Sequence, residues 1–351
     1  MFFVAVVAGT PAVGDQLACI VHHNDRMRAA ALAILALLTA VGTGVTASKP
    51  PVEVEMRNVD LHLTPDISLH IRHLRGRFIA EGSRQAPYLD DPRSYSVTVD
   101  TGEVAIDLAS LNAVMTRTLG QGRSNVRNLQ VSIDEDGRLR QKGVVKKAIS
   151  VPFNVKASVS ATPDGRIRVH SESVKGFGVP VNPLLKAFGI EMDDLLKVEP
   201  GHGVSVEGND LLLDPSSLLP PPAMHGKVTA VRIERDMLVQ SFGSGAPQPM
   251  SPKATAKNYI YWRGGQLAFG KLTMSDTDLE LVDEDPSDPF DFSVDRWNEQ
   301  LVAGFSKITT DRGLKAHMPD YNDLQQNKRP TRPASSTAVA PSTQPRRERQ
   351  R

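Results

Sequence analysis

Hydrophobic and polar residues alternate along much of this chain. The clearest run is Ile149 to Ala161. Ile149, Val151, Phe153, Val155, Ala157, Val159 and Ala161 fall on one side, and Ser150, Pro152, Asn154, Lys156, Ser158 and Ser160 on the other. A period of two over this length predicts a strand with one dry and one wet face. Thr162-Pro163-Asp164-Gly165 supplies a turn, with proline pre-setting φ and glycine accepting a positive one. Ile167 and Val169 then carry the alternation back as a hairpin. Further on the period becomes helical. Asn182 suits a helix cap and Pro183 the first helical position. Leu184, Leu185, Phe188, Met192, Leu195 and Leu196 make one apolar stripe. The pattern predicts an amphipathic helix from Pro183 to Lys197, lying on the dry face of its own hairpin.

The flanking sequence is also β-patterned. Val52, Val54 and Met56 alternate, then Val59, Leu61 and Leu63, then Ile67, Leu69 and Ile71, with phase shifts at Asn58-Val59 and Thr64-Pro65-Asp66. Tyr95, Val97 and Val99 with Val104 and Ile106 predict a hairpin about Asp100-Thr101-Gly102. A first helix follows, with Asp107 as its cap, Leu108, Leu111, Met115 and Leu119 on one face, and Gly120 at its end. Leu129, Val131 and Ile133, then Val204 and Val206, Leu211 and Leu213, and the pair Val228–Ile233 and Met237–Phe242 add strands. Residues 243–257 read as a Gly/Pro/Ser linker. Residues 258–324 read as a smaller β/α block with a helix from Phe292 to Ile308. The segment from 325 to 351, rich in Pro, Ser, Gln and Arg, has too little to bury and is expected to be a disordered basic tail.

Residues 1–47 read as a start region with an export signal. Met27-Arg28, the apolar run Ala29–Val41 and the small residues Val45 and Ala47 fit a signal peptide starting at Met27 and cleaved before Ser48. The alternative is an uncleaved anchor, but the apolar run is short of the ~20 residues a span needs. Export to the periplasm or cell envelope is therefore expected. The single cysteine of the 351 residues, Cys19, lies in this region, which leaves the remainder no disulfide or thiol chemistry. Lys and Arg number 41 against 40 Asp and Glu, and aromatics are 5% of residues. Neither feature points to nucleic acid.

No catalytic arrangement stands out. There is no nucleophile elbow, phosphate loop, His-Glu-x-x-His or dinucleotide fingerprint, so no catalytic residue, cofactor or enzymatic activity is expected. His70 and His73, three apart in a strand, point to opposite faces and cannot share a metal; His62 and His170 read as surface positions. Asp276, Asp278, Asp283, Glu284, Asp285, Asp288 and Asp291 offer oxygen ligands of the kind calcium takes. The simpler reading is that Asp288 and Asp291 complement a helix start and that Asp-Pro pairs form turns. On that reading no metal is held.

The segments Leu129–Ile133, Pro180–Leu184, Gly203–Val206, Asp210–Pro215, Gly226–Ile233 and Met237–Val239 resemble the LmeA-like phospholipid-binding envelope protein family. The resemblance rests on hydrophobic pattern and turns over about a third of the chain, and the C-terminal block is similar to AsmA-like proteins. It implies a TULIP-like half-pipe, in which a long curved antiparallel sheet wraps one or two amphipathic helices. The expected fold is therefore α+β, with one lipid-binding-like domain at 48–242. The expected function is non-enzymatic binding or transfer of a lipid or other hydrophobic small molecule. Val151, Phe153, Val155, Val159, Leu184, Leu185, Phe188, Met192 and Leu195 would line the groove, and the basic tail could touch a membrane surface. A scaffold with a filled core, acting through protein partners, is the competing expectation.

Overall fold

A computed structural model of the chain describes residues 50–119, 125–146, 150–176, 179–180, 203–244, 250 and 256–326. Among them 57% lie in strands and 13% in helices, which makes the fold β-rich α+β. The strands form two main sheets, where the resemblance implied one long sheet over 48–242 with a separate smaller block after it.

The larger sheet starts as an antiparallel meander of β1 (Val52–Thr64), β2 (Ile67–Ala80) and β3 (Tyr95–Asp107). In β1 the buried residues are Val52, Val54 and Met56, then Val59, Leu61 and Leu63. The phase slips at Asn58, whose φ of 50° is a conformation asparagine tolerates better than most residues. Helix α1 (Leu108–Leu119) comes next. Asp107 caps it, its carboxylate accepting from the Ser110 amide at 2.7 Å. Leu111, Met115 and Leu119 are its buried residues along with Val114, Ser110 and Thr118.

The chain then builds the second sheet from β4 (Val126–Ile133), β5 (Leu139–Lys146), β6 (Ser150–Ala161), β7 (Ile167–Gly176), β8 (Val179–Pro180), β9 (Val204–Glu207) and β10 (Asp210–Leu213). Its order is β4-β5-β6-β7-β10-β9, with β8 on the end of β7, and every pairing is antiparallel. The chain returns through α2 (Pro215–Leu218) and β11 (Ala223–His225) to β12 (Val228–Glu234) and β13 (Met237–Phe242), which extend the larger sheet beside β3.

The C-terminal elements are β14 (Tyr259–Arg263), β15 (Leu267–Phe269), β16 (Leu272–Met274), β17 (Asp278–Asp283), β18 (Phe290–Ser293), α3 (Trp297–Ala303), β19 (Phe305–Ile308), β20 (Leu314–Met318) and α4 (Tyr321–Gln325). β15 and β16 form a small sheet of their own, bridged at Ala268 to Tyr88, but β14, β17, β20 and β19 continue the larger sheet outward from β1. β1 divides its outer edge, giving Glu53–Arg57 to β14 in antiparallel register and Val59–His62 to β18 in parallel register. β11 on β3 and β17 on β20 are also parallel, so this sheet is mixed.

The expected helix from Phe292 to Ile308 shrinks to α3, between two strands. Phe292 pairs with Leu61 in the sheet. After α3, Gly304 is extended and passes so near β20 that a Cβ there would sit 1.9 Å from the His317 carbonyl oxygen.

Side chains and backbone bonds join the two sheets. The Asn112 amide of α1 behaves like a strand backbone toward β4: it donates to the Val131 carbonyl at 2.8 Å and accepts from the Val131 amide at 2.7 Å. This lies beside a bulge between Arg127 and Gln130, and bulges bend a strand. Elsewhere the Val228 amide at the start of β12 donates to the Gly165 carbonyl in the β6–β7 turn at 3.2 Å. Leu139, Ala157, Ile167 and Val169 of the second sheet consequently share one hydrophobic core with Leu69, Ile71 and Leu111.

Candidate functional site

The strand pairings carry one mostly apolar face across the second sheet, interrupted by Gln141 and Ser171. Val126, Val145 and Val151 align in one row, and Leu139, Ala157 and Ser171 in another. Val159, Val169, Leu211 and Val206 align in a third. Burial changes along this face. Near the β6–β7 turn Leu139, Ala157, Ile167 and Val169 are buried in the main core. Val151, Phe153, Val155, Val159 and Val174 are only half-buried, although Val126 and Val145, in the row of Val151, are buried. Val155 and Val159 still lean on that core, but Val151 and Phe153 do not belong to it. Phe153 lies between two glycines, paired with Gly143 on β5 and Gly176 on β7. A Cβ on Gly143 would come within 2.8 Å of the Phe153 ring, so the missing side chain is what lets the ring approach β5 this closely.

Four of the expected groove residues, Val151, Phe153, Val155 and Val159, therefore share one half-buried face. Leu184, Leu185, Phe188, Met192 and Leu195, with the whole Pro183–Lys197 helix, lie outside the described residues.

The acidic run has a different structure from the one its sequence suggested. Asp291 does not precede a helix. It lies in β18, where its carboxylate is paired with the His62 ring and accepts from the Asn322 amide at 2.9 Å. His62 is accordingly not a surface residue: its side chain is 16% exposed and its ring lies 5.5 Å from that of Tyr321. The Asp320 carboxylate accepts from the Asp291 amide at 2.8 Å. Asp283, at the end of β17, accepts from the Asn258 side chain at 3.0 Å and the Asp285 amide at 2.8 Å. Asn258 in turn accepts from Asn58 of β1 at 2.8 Å. Asp283, Asp288 and Asp320 each bring a carboxylate oxygen within 4.8 Å of the others, and they are the residues that could hold a cation among those described.

Burial is the main force on two of these groups. It pushes Asp283 up to about 6 and Asp320 up to about 8, with neighbouring carboxylates adding to both. The folded protein thus holds protons that the unfolded chain has released, and this contribution to stability falls as pH rises from about 4 toward 8. With a chelator present, the wild type should lose melting temperature between pH 6 and 8. Asp320→Asn, which keeps the acceptor and removes the charge, should lose less and be the more stable of the two at pH 8. Parallel melting curves across that range check this; a wild type that gains stability toward pH 8 would contradict it.

An apolar cavity of about 30 Å³ lies in the larger sheet, lined by residues including Met56, Leu61, Phe78, Tyr95, Trp262 and Trp297. Pattern reading gave no sign of it, because it forms where strands far apart in sequence meet. Small-molecule sites are of order 300–1,000 Å³, so this space has the scale of a packing gap. The Trp262 and Trp297 indole N–H groups are buried without a hydrogen-bond partner. Among the described residues no helix is long and apolar enough to cross a membrane. No family model, curated protein or solved structure matches the chain.

Proposed function

We infer that the protein is a non-enzymatic binder of a lipid acyl chain or similar hydrophobe, held on the apolar face of the second sheet in the manner of a TULIP-like half-pipe. The observation that supports this is the change of burial along β6, from a filled end at Ala157 to half-buried Val151, Phe153 and Val155, with buried Val126 and Val145 closing one side of that row. A carrier needs such a surface, because a hydrophobe gains roughly 25 cal/mol per Å² of apolar area removed from water. The expected export signal at Met27–Ala47 would agree with work in a cell envelope.

Val155→Trp is the test. Val155 sits between Gln141 and Val174 and is half-buried. In a groove the larger ring has room and occupies the ligand's place. Lipid transfer between vesicles should fall to background while the urea midpoint changes little. In a filled core the same change overpacks the interior and costs ~1–3 kcal/mol. Normal transfer together with marked destabilisation would remove the groove.

The scaffold reading has one observation of its own. Val302 on α3 and Ile308 on the edge strand β19 are 86% and 80% exposed, and edge strands are ready sites for pairing with another chain.

A further inference from the structure

We propose that the far end of the second sheet is a docking face for an anionic lipid bilayer, centred on Lys142, Lys146 and Lys175 and presented on the side opposite the apolar face. The charge pattern of the strands carries this. β4, β5 and β6 contain Arg127, Arg140, Lys142, Lys146 and Lys156, and no aspartate or glutamate. At the end near the β6–β7 turn, acidic residues from turns and neighbouring strands neutralise the cations. Arg140 pairs with Asp134 at 2.5 Å, Lys156 with Asp136 at 2.6 Å, Arg166 with Asp164 at 2.6 Å, and Arg138 with Glu172 at 3.3 Å.

At the far end this neutralisation stops. Lys142, Lys146 and Lys175 are exposed, and none has a carboxylate partner among the described residues. Asn154 pairs with Lys142 on one side and Lys175 on the other, so the three side chains form a row across three strands. Lys146 stands four residues beyond Lys142. At ~3.3 Å per residue and ~4.8 Å per strand the patch measures roughly 13 by 10 Å. No register shift falls within these segments of β5, β6 and β7, so the face is even.

Its centre is apolar. Val144 and Pro152 pair with each other between the lysine rows, and Pro152 is exposed. Lysines around a small apolar centre suit the headgroup layer of a bilayer, where the ammonium groups meet phosphates and the apolar atoms meet the acyl boundary. A nucleic-acid surface would instead offer aromatic rings for stacking, and the outward positions of β5, β6 and β7 at this end contain none. Docking here does not depend on an acyl chain entering the groove, since the lysines and Val155 lie on opposite faces.

The experiment is flotation of the full chain with phosphatidylcholine vesicles, with and without phosphatidylglycerol. The wild type should float only with the anionic vesicles and be released by high salt, which shortens the screening length to ~3 Å at 1 M. Each lysine near an anionic surface is worth about fivefold in affinity, so removing the three charges weakens binding roughly a hundredfold and the reversed K142E/K146E/K175E should bind more weakly still. It should keep the wild-type melting temperature and its uptake of monomeric short-chain lipid. If the reversed variant is unstable, K142Q/K146Q/K175Q gives the same reading. Binding to neutral vesicles, undiminished binding by the variant (which would place the contact in the basic tail), or equal affinity of the wild type for an oligonucleotide would each overturn the proposal.

Discussion

Gln300→Ala is expected to cost about 4 kcal/mol or more, enough to unfold much of the C-terminal region at moderate urea. Gln300 is fully buried on α3, and its amide bonds to three backbone groups at once. It accepts from the Ser293 amide at 2.9 Å, and donates to the Asp291 carbonyl at 2.8 Å and the Pro319 carbonyl at 3.0 Å. These groups belong to β18 and to the segment before α4, so one side chain holds three parts of the chain together. Removing it strands buried donors and acceptors, each costing ~1–3 kcal/mol. Gln300→Leu fills most of the volume without restoring a bond and should be nearly as unstable, which separates lost bonding from an empty cavity. Urea midpoints for both variants check the argument. A loss below ~1 kcal/mol for the leucine variant would show that backbone rearrangement satisfies those groups.

Trp262→Ala should be about as damaging, at ~3–5 kcal/mol. Trp262 is 2% exposed on β14, opposite Val54 of β1. Its ring meets Phe78 edge-on at 5.7 Å, and Phe78 stacks on Tyr95 at 4.8 Å. Alanine would enlarge a cavity that already exists and loosen the seam between the N-terminal meander and the C-terminal strands. Trp262→Phe should cost much less, under ~1.5 kcal/mol, because it keeps a ring and removes an indole N–H that has no partner. The contrast between the two variants, measured by thermal melting, is the informative quantity.

Much of the local structure was legible in the sequence because its causes are local. Alternation from Val52 to Ile71 gave the first strands and their buried faces, Asn58 marked the phase slip, and Asp107 marked the start of α1, but the hairpin expected about Asp100-Thr101-Gly102 is one continuous strand, β3, whose turn-like residues are held extended between β2 and β13. Pairing was legible only where a short turn joins the partners, as in β6–β7 and β12–β13. A period of two says which face is dry but not which strand lies alongside, and β1 meets its outer partners about two hundred residues later. That is why neither the separate second sheet nor the joining of the C-terminal strands to β1 was expected. The acidic run was misread for a related reason. Asp288 and Asp291 have the composition of a helix start, but the parallel partnership of β18 with β1 claims Phe290–Ser293 for the sheet. His62 looked like a surface residue because its partner, Asp291, is 229 positions away. Of the half-buried face proposed as a groove, the β6 residues could be read from alternation, whereas the glycines framing Phe153 are recognisable only once the register of three strands is known.

The divided edge of β1 also sets the order in which the protein can be made. β1 is among the first strands to be synthesised, yet Val54 waits for Trp262 and Leu61 for Phe292. Until those residues arrive, a long strand with unpaired amides and carbonyls stays open to other chains. Contacts this distant in sequence slow the search for the native state, and the exposed edge is a hazard for as long as the search lasts. A chain cut short after Phe242 would keep β2, β3 and the second sheet but leave that edge open for good. Translation to the end of β18 is thus a kinetic requirement for the N-terminal half to reach its own final structure.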